Sequence, residues 1–181
     1  MAGRNPDNDI TELLKADINK GFSLVVERYS SKLYWHIRRI VILHEDADDA
    51  LQNTFINAWR NIGNFRSESS IYTWLYAIAV NESLAIINKR KKNSATSLDD
   101  LEGYFANSLE GNTWFDGDEA QRRLQNAILQ LPEKQRIVFN MKYFDDMTYE
   151  EMSKILDTSV GALKASYHHA VKKIENILVN G

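Results

Sequence analysis

The chain of 181 residues contains no cysteine. Disulfides and thiolate metal sites are therefore excluded, which fits a reducing cytoplasm. Proline occurs only at positions 6 and 132, so little interrupts a helix. Strand-like alternation of apolar and polar residues is hard to find. No apolar run approaches the ~20 residues needed to span a bilayer, so no membrane insertion is expected. The start, MAGRNPDNDITELLKAD, has no apolar stretch behind a basic lead and does not read as a signal peptide. The histidines, at positions 36, 44, 168 and 169, lack metal-ligand spacing. Side chains of His168 and His169 on a helix would point about 100° apart and could not readily share one metal. There is no Gly-rich phosphate loop and no nucleophile motif. No catalytic residue, metal ligand or cofactor is assigned, and an enzyme has nothing in the sequence to rest on.

What is present is helical periodicity and an uneven spread of charge. Hydrophobic residues make up 44% of the chain, enough for packed cores. The net charge of −3 argues against a protein that simply coats DNA. Residues 1–92 carry 13 basic and 11 acidic groups, residues 93–117 none and 5, and residues 118–181 9 and 9. The acid excess thus sits in one middle segment, and both flanks can present local basic faces. Spacing predicts helices over Ile10–Lys20, Gly21–Val41, Ala47–Asn61, Ser70–Lys91, Asp118–Gln130, Pro132–Phe144, Thr148–Leu156 and Val160–Val179. Between them, SATSLDDLEGYFANSLEGNTWFDG is rich in Ser, Asn, Gly and acid and has no period. The expected fold is all-α. It has two small helical domains, 1–92 and 118–181, joined by a flexible acidic linker over 93–117.

In the N-terminal half, Glu45, Asp46, Asp48 and Asp49 crowd the start of a helix, where they complement its dipole. Ala47, Leu51, Phe55 (or Ala58) and Ile62 fit an inward stripe. Asp48, Asp49, Gln52, Asn53 and Trp59 fit a polar outer face, either solvated or docked on a basic partner. The loop Asn64-Phe65-Arg66-Ser67-Glu68-Ser69-Ser70 leads into Ile71-Tyr72-Thr73-Trp74-Leu75-Tyr76. Aromatic rings among small polar and basic residues suit unstacked bases, although Trp74, with Leu75 and Ile78, also fits a core position. That helix ends at Asn88-Lys89-Arg90-Lys91-Lys92, which stabilises its C-terminus and can reach phosphates.

In the C-terminal half, Thr148 and Glu151 have capping-box spacing. Met152, Ile155 and Leu156 share one side of a short helix, and Asp157-Thr158-Ser159 breaks it and can cap the next. Leu163, Tyr167, Ala170, Val171 and Ile174 then recur at helical spacing. Lys164, Ser166, His168, His169, Lys172 and Lys173 are left outside. Both an amphipathic hairpin and a helix-turn-helix DNA reader fit this layout.

The two halves together resemble one family. HEDADDALQNTFINAWRNIGNFRSESSIYTWLYAIAVNESL is similar to region 2 of bacterial sigma-70 factors, and LPEKQRIVFNMKYFDDMTYEEMSKILDTSVGALKASYHHAVKKI to region 4. A linker with no room for a region 3 domain resembles the small extracytoplasmic-function, or group IV, type. The resemblance implies a region 2 helical bundle over 1–92 and a region 4 helix-turn-helix over 118–181. It implies that Asp46, Asp49, Gln52, Phe55 and Trp59 dock on the β′ clamp helices of core RNA polymerase. Phe65, Arg66, Ser67, Ser69 and Ser70 would capture a flipped base of the minus-10 element, with Tyr72, Trp74, Asn81 and Lys89 completing that reader. Lys164, Ala165, Ser166, His168, His169 and Lys172 would read the minus-35 element in the major groove. Implied partners are core polymerase (β′ clamp helices and β flap), promoter DNA and an anti-sigma protein, in the cytoplasm.

Some positions depart from the common pattern. Ser67 stands where Gly is usual and Ala77 where Arg is frequent; Ala162, Ser166 and His169 replace a frequent Thr, Arg and Arg. Fewer Arg contacts predict a shallower salt dependence for region 4 alone, and readout through His, Ser and the Ala165 methyl. The competing expectation is a dimeric helix-turn-helix regulator that binds an operator without polymerase. Only the C-terminal half speaks for it.

Overall fold

A computed structural model describes residues 7–65, 70–93 and 119–180. Among these, every regular element is helical. α1 spans Asn8–Ala16, α2 Ile18–Val41, α3 His44–Asn61 and α4 Ile71–Asn93; α5 spans Glu119–Leu129, α6 Glu133–Tyr143, α7 Tyr149–Leu156 and α8 Val160–Asn180. A short 3-10 turn, Ile62–Asn64, follows α3. The chain forms two compact units, Met1–Ile86 and Ile87–Gly181. The expected linker, 93–117, falls almost wholly outside the described residues.

In the first unit, α1 lies against α2. The break between them is at Asp17, not after Lys20 as spacing predicted. Asp17 adopts an extended conformation, and its carboxylate accepts bonds from the Asn19 and Lys20 amides, both at 3.1 Å. Those two N–H groups would otherwise have no partner at a helix start, and they hold the Asp17 pKa below its ordinary value. Gly21, which read as a helix start, serves close approach instead. A Cβ there would meet Leu14 backbone atoms at 2.6 Å. Arg28 of α2 donates to Asp9 of α1 at 2.9 Å, and this pairing pulls the Asp9 carboxyl down to about 2. Tyr29 donates to Asp7, and burial pushes the Tyr29 phenol above its usual range. Ile10, Val25, Leu33, Ile37, Ile40, Leu75, Ala79 and Val80 are all buried in the core of this unit.

α3 buries a stripe rotated from the expected one. Ala47, Ala50, Thr54, Ala58 and the following Ile62 are buried, while Leu51 and Phe55 are half-buried. Small side chains let α3 sit close to its neighbours, and the Thr54 hydroxyl donates back to the Ala50 carbonyl at 2.6 Å. That shift of register frees Phe55 for the rim. On α4, Leu75 and Tyr76 are buried, whereas Trp74 and Ile78 are half-buried rather than core.

In the second unit, Ala127, Ile128, Leu131, Phe139, Ala170 and Ile174 form one core, with Leu124, Tyr167 and Val171 packed on it. The predicted capping box at the start of α7 is present: Thr148 Oγ1 accepts from the Glu151 amide at 3.2 Å, and Glu151 accepts from the Thr148 amide at 2.9 Å. Asp157 closes α7 in the left-handed region, with φ 47°. Asp is among the few non-glycine types that tolerate this conformation. Ser159 then caps α8 by accepting from the Ala162 amide at 3.3 Å. The turn between the two helices is therefore built from local side chains.

Candidate functional site

Three surfaces come out of this frame. The first lies on α3. Asp48, Asp49, Gln52, Asn53, Ile56, Trp59 and Arg60 are exposed on it. Trp59 remains 44% exposed and Ile56 42%, high values for large apolar groups. Both line a groove of about 560 Å³ with Phe22, Gln52, Phe55 and Arg60. Ring contacts set its floor: Phe22 meets Trp59 edge-on at 5.0 Å and Phe55 at 6.4 Å. The structure thus brings Gln52, Phe55 and Trp59 together, with Asp49 on the exposed side of the same helix. Asp46 is different. It is only 7% exposed and turns inward at the first turn of α3. Phe22, Ile56 and Arg60 were not anticipated. Ile56, one turn after Gln52, lies on the face already assigned, whereas Phe22 comes from α2 and no local pattern on α3 signals it.

The second surface joins the end of the 3-10 turn to α4. Phe65 packs against Trp74 at 5.2 Å, both rings half-buried. Tyr72 lies over Tyr76 at 4.1 Å, and Tyr76 over the buried His36 at 4.5 Å. Ser70 is tied up as a cap: its Oγ accepts from the Thr73 amide at 3.0 Å. Asn81 and Lys89 are exposed further along α4. Asn57 of α3 donates to Glu82 of α4 at 2.7 Å, fixing α4 against α3. Arg66, Ser67 and Ser69 lie outside the described residues.

The third surface is the outer face of α8. Lys164, Ala165, His168, His169, Lys172 and Lys173 are exposed, and Ser166 is half-buried. Leu163 and Ala170 are buried on the opposite side, with Tyr167 and Val171 half-buried, so the predicted division of the helix holds. The His168 and His169 rings are 6.0 Å apart. No cluster of His, Cys, Asp or Glu able to hold a metal occurs among the described residues. Lys164 and Lys142 each place an ammonium 5.7 Å from the centre of the Tyr149 ring. That aromatic-cationic corner at the start of α7 was not read from the sequence, because its members lie on three helices. No described helix is long and apolar enough to cross a membrane.

Comparison with known proteins connects these surfaces. Sigma-70 region 2 matches residues 25–93, and Sigma-70, region 4 matches residues 121–174. The chain is 31% identical to an ECF RNA polymerase sigma-E factor of Haemophilus influenzae, over 97% of each chain. It is 27% identical to the RNA polymerase sigma-H factor of Pseudomonas aeruginosa, over 98% of this chain and 96% of that one. In fold it is similar to the sigma factor RpoE of Bartonella quintana, solved with the anti-sigma factor NepR. The TM-score is 0.72 at 22% identity, covering 88% of this chain and 97% of that one. It is also similar to CnrH, solved with the cytosolic domain of CnrY, with a TM-score of 0.70 at 20% identity, covering 96% and 97%.

Proposed function

The chain belongs to the sigma-70 family, of the extracytoplasmic-function type, and we propose that it works as an alternative sigma factor, directing core RNA polymerase to specific promoters. The observation that carries this is the pair of family matches, region 2 then region 4, in one chain aligned end to end with a sigma-E factor. A dimeric operator-binding regulator would account for the second match and leave the first without a use.

The residue roles follow from the three surfaces. The exposed face and groove of α3, with Asp49, Gln52, Phe55 and Trp59, dock on the β′ clamp helices. An aromatic rim with few charges at its centre is the composition of an energetic interface core. Asp46 supports that face from within, by shaping the first turn of α3. Phe65, Tyr72, Trp74, Asn81 and Lys89, with Arg66, Ser67, Ser69 and Ser70, read the opened minus-10 element. Extruding a base costs a few kcal/mol, which stacking on half-buried rings offsets. Lys164, Ala165, Ser166, His168, His169 and Lys172 read the minus-35 element from the major groove. The second unit also meets the β flap, and an anti-sigma protein covers the polymerase-binding face when the factor is held inactive. The division is 1–92 for region 2, 93–117 for the linker and 118–181 for region 4. The factor has no catalysis of its own, needs no cofactor and acts in the cytoplasm.

Run-off transcription with purified core polymerase and a genomic template tests this reading. Adding the chain should produce discrete start sites that core polymerase alone does not produce. An unchanged transcript pattern, with the chain and polymerase failing to co-elute, overturns it.

A further inference from the structure

The outer face of α8 has no arginine. Its cations over residues 160–180 are Lys164, Lys172 and Lys173, and between them stand two imidazoles. Both rings are exposed, and they meet each other at 6.0 Å. One turn separates His168 from Lys164 on one side and from Lys172 on the other, and His169 from Lys173. Among the described residues, no ion pair joins a carboxylate to either imidazole. From α6 and α7, the Lys142 ammonium and the Tyr143 and Tyr149 phenols gather round Tyr167 and Lys164 instead. On α5, Arg122 is paired with Glu119 of its own helix. The nearest acid on the same face of α8 is Glu175, two turns on and about 10 Å along the axis from His168.

Imidazole is the side chain whose charge changes between about pH 5 and 8. Against a phosphate backbone each added cation is favoured.

We propose that His168 and His169 make the grip of α8 on promoter DNA pH-dependent, stronger when an imidazole is cationic and weaker when both are neutral. This rests on α8 being the minus-35 reader, as proposed above. Neutral rings retain hydrogen bonding to base edges, so they still discriminate sequence. Protonation adds a contact to phosphate or to guanine.

The test uses holoenzyme reconstituted from the full chain and core polymerase. The probe is a duplex of about 60 base pairs spanning a start site mapped for that holoenzyme. Affinity is measured at pH 6 and pH 8 over a range of salt. The wild type should bind about tenfold tighter at pH 6, with a salt slope steeper by about one, the value for one added cation. His168→Gln/His169→Gln and His168→Lys/His169→Lys should both flatten that pH dependence, one by removing the charge and the other by fixing it. Identical pH profiles for the wild type and both variants overturn the proposal. The sigma reading is judged separately, by whether the wild-type holoenzyme starts transcription at the mapped site at all.

Discussion

At the scale of single residues, close contact and exposure make opposite predictions. Gly21 lies where α1 crosses α2, and any Cβ must push into the Leu14 backbone. Gly21→Ala should destabilise the first unit by about 1–3 kcal/mol, seen as a lower urea midpoint. Trp59 is the opposite case. With 44% of its surface in water it contributes little to the core. Trp59→Ala should leave the unfolding midpoint nearly unchanged yet weaken polymerase binding by about 2 kcal/mol, or some thirtyfold, measured by titration with labelled core enzyme. An equal loss in both assays would mean that Trp59 is structural. Asp9 supplies a pH signature. Its carboxyl is held near 2 by Arg28, below the ordinary 3.8, so the pair stabilises the docking of α1 at higher pH. That contribution is present above about pH 4 and is lost as the pH falls toward 2. Asp9→Asn should lower stability modestly at neutral pH, change little near pH 2, and so flatten this part of the acid-unfolding profile.

At the scale of elements, helix ends were the most legible features, because caps are local. Thr148 and Glu151 were identified by spacing, and the reciprocal bonds form. Thr148→Ala should cost about 1 kcal/mol of stability in the second unit, by thermal unfolding. The break at Asp17 was misplaced by a few residues for a related reason. Gly21 suggests helix punctuation but its use is tertiary, and Asp17, four residues earlier, supplies the cap. The facing of α3 was only half legible. Its outer polar residues and the inward Ala47, Ala58 and Ile62 are legible, but the stripe between them runs through Ala50 and Thr54 rather than Leu51 and Phe55. Hydrophobicity alone cannot rank those choices, since close packing against α2 favours small side chains. Asp46 turns inward for the same reason: register, not polarity, decides which face a residue occupies. The Phe22 edge of the groove was illegible in principle, because it depends on how α2 meets α3.

At the scale of the whole molecule, the chain is an adaptor that lends sequence discrimination to a larger enzyme. With a net charge of −3 and modest basic patches, the chain alone should be a poor ligand for DNA. Joined to polymerase, two weak readers act on one promoter and gain from effective concentration. The helix-turn-helix and its basic face were readable from the second half, but that half alone fits an operator-binding repressor equally well. The first half, with its acidic helix start and aromatic loop, separates the two.

The most direct measurement is the affinity of one promoter fragment for the chain alone and for the chain bound to core polymerase, in the same buffer. The expected result is micromolar or weaker binding by the free chain, on the order of non-specific association, and binding at least about a hundredfold tighter by the holoenzyme. Tight, sequence-specific binding by the free chain as a dimer, unchanged when polymerase is added, would contradict it.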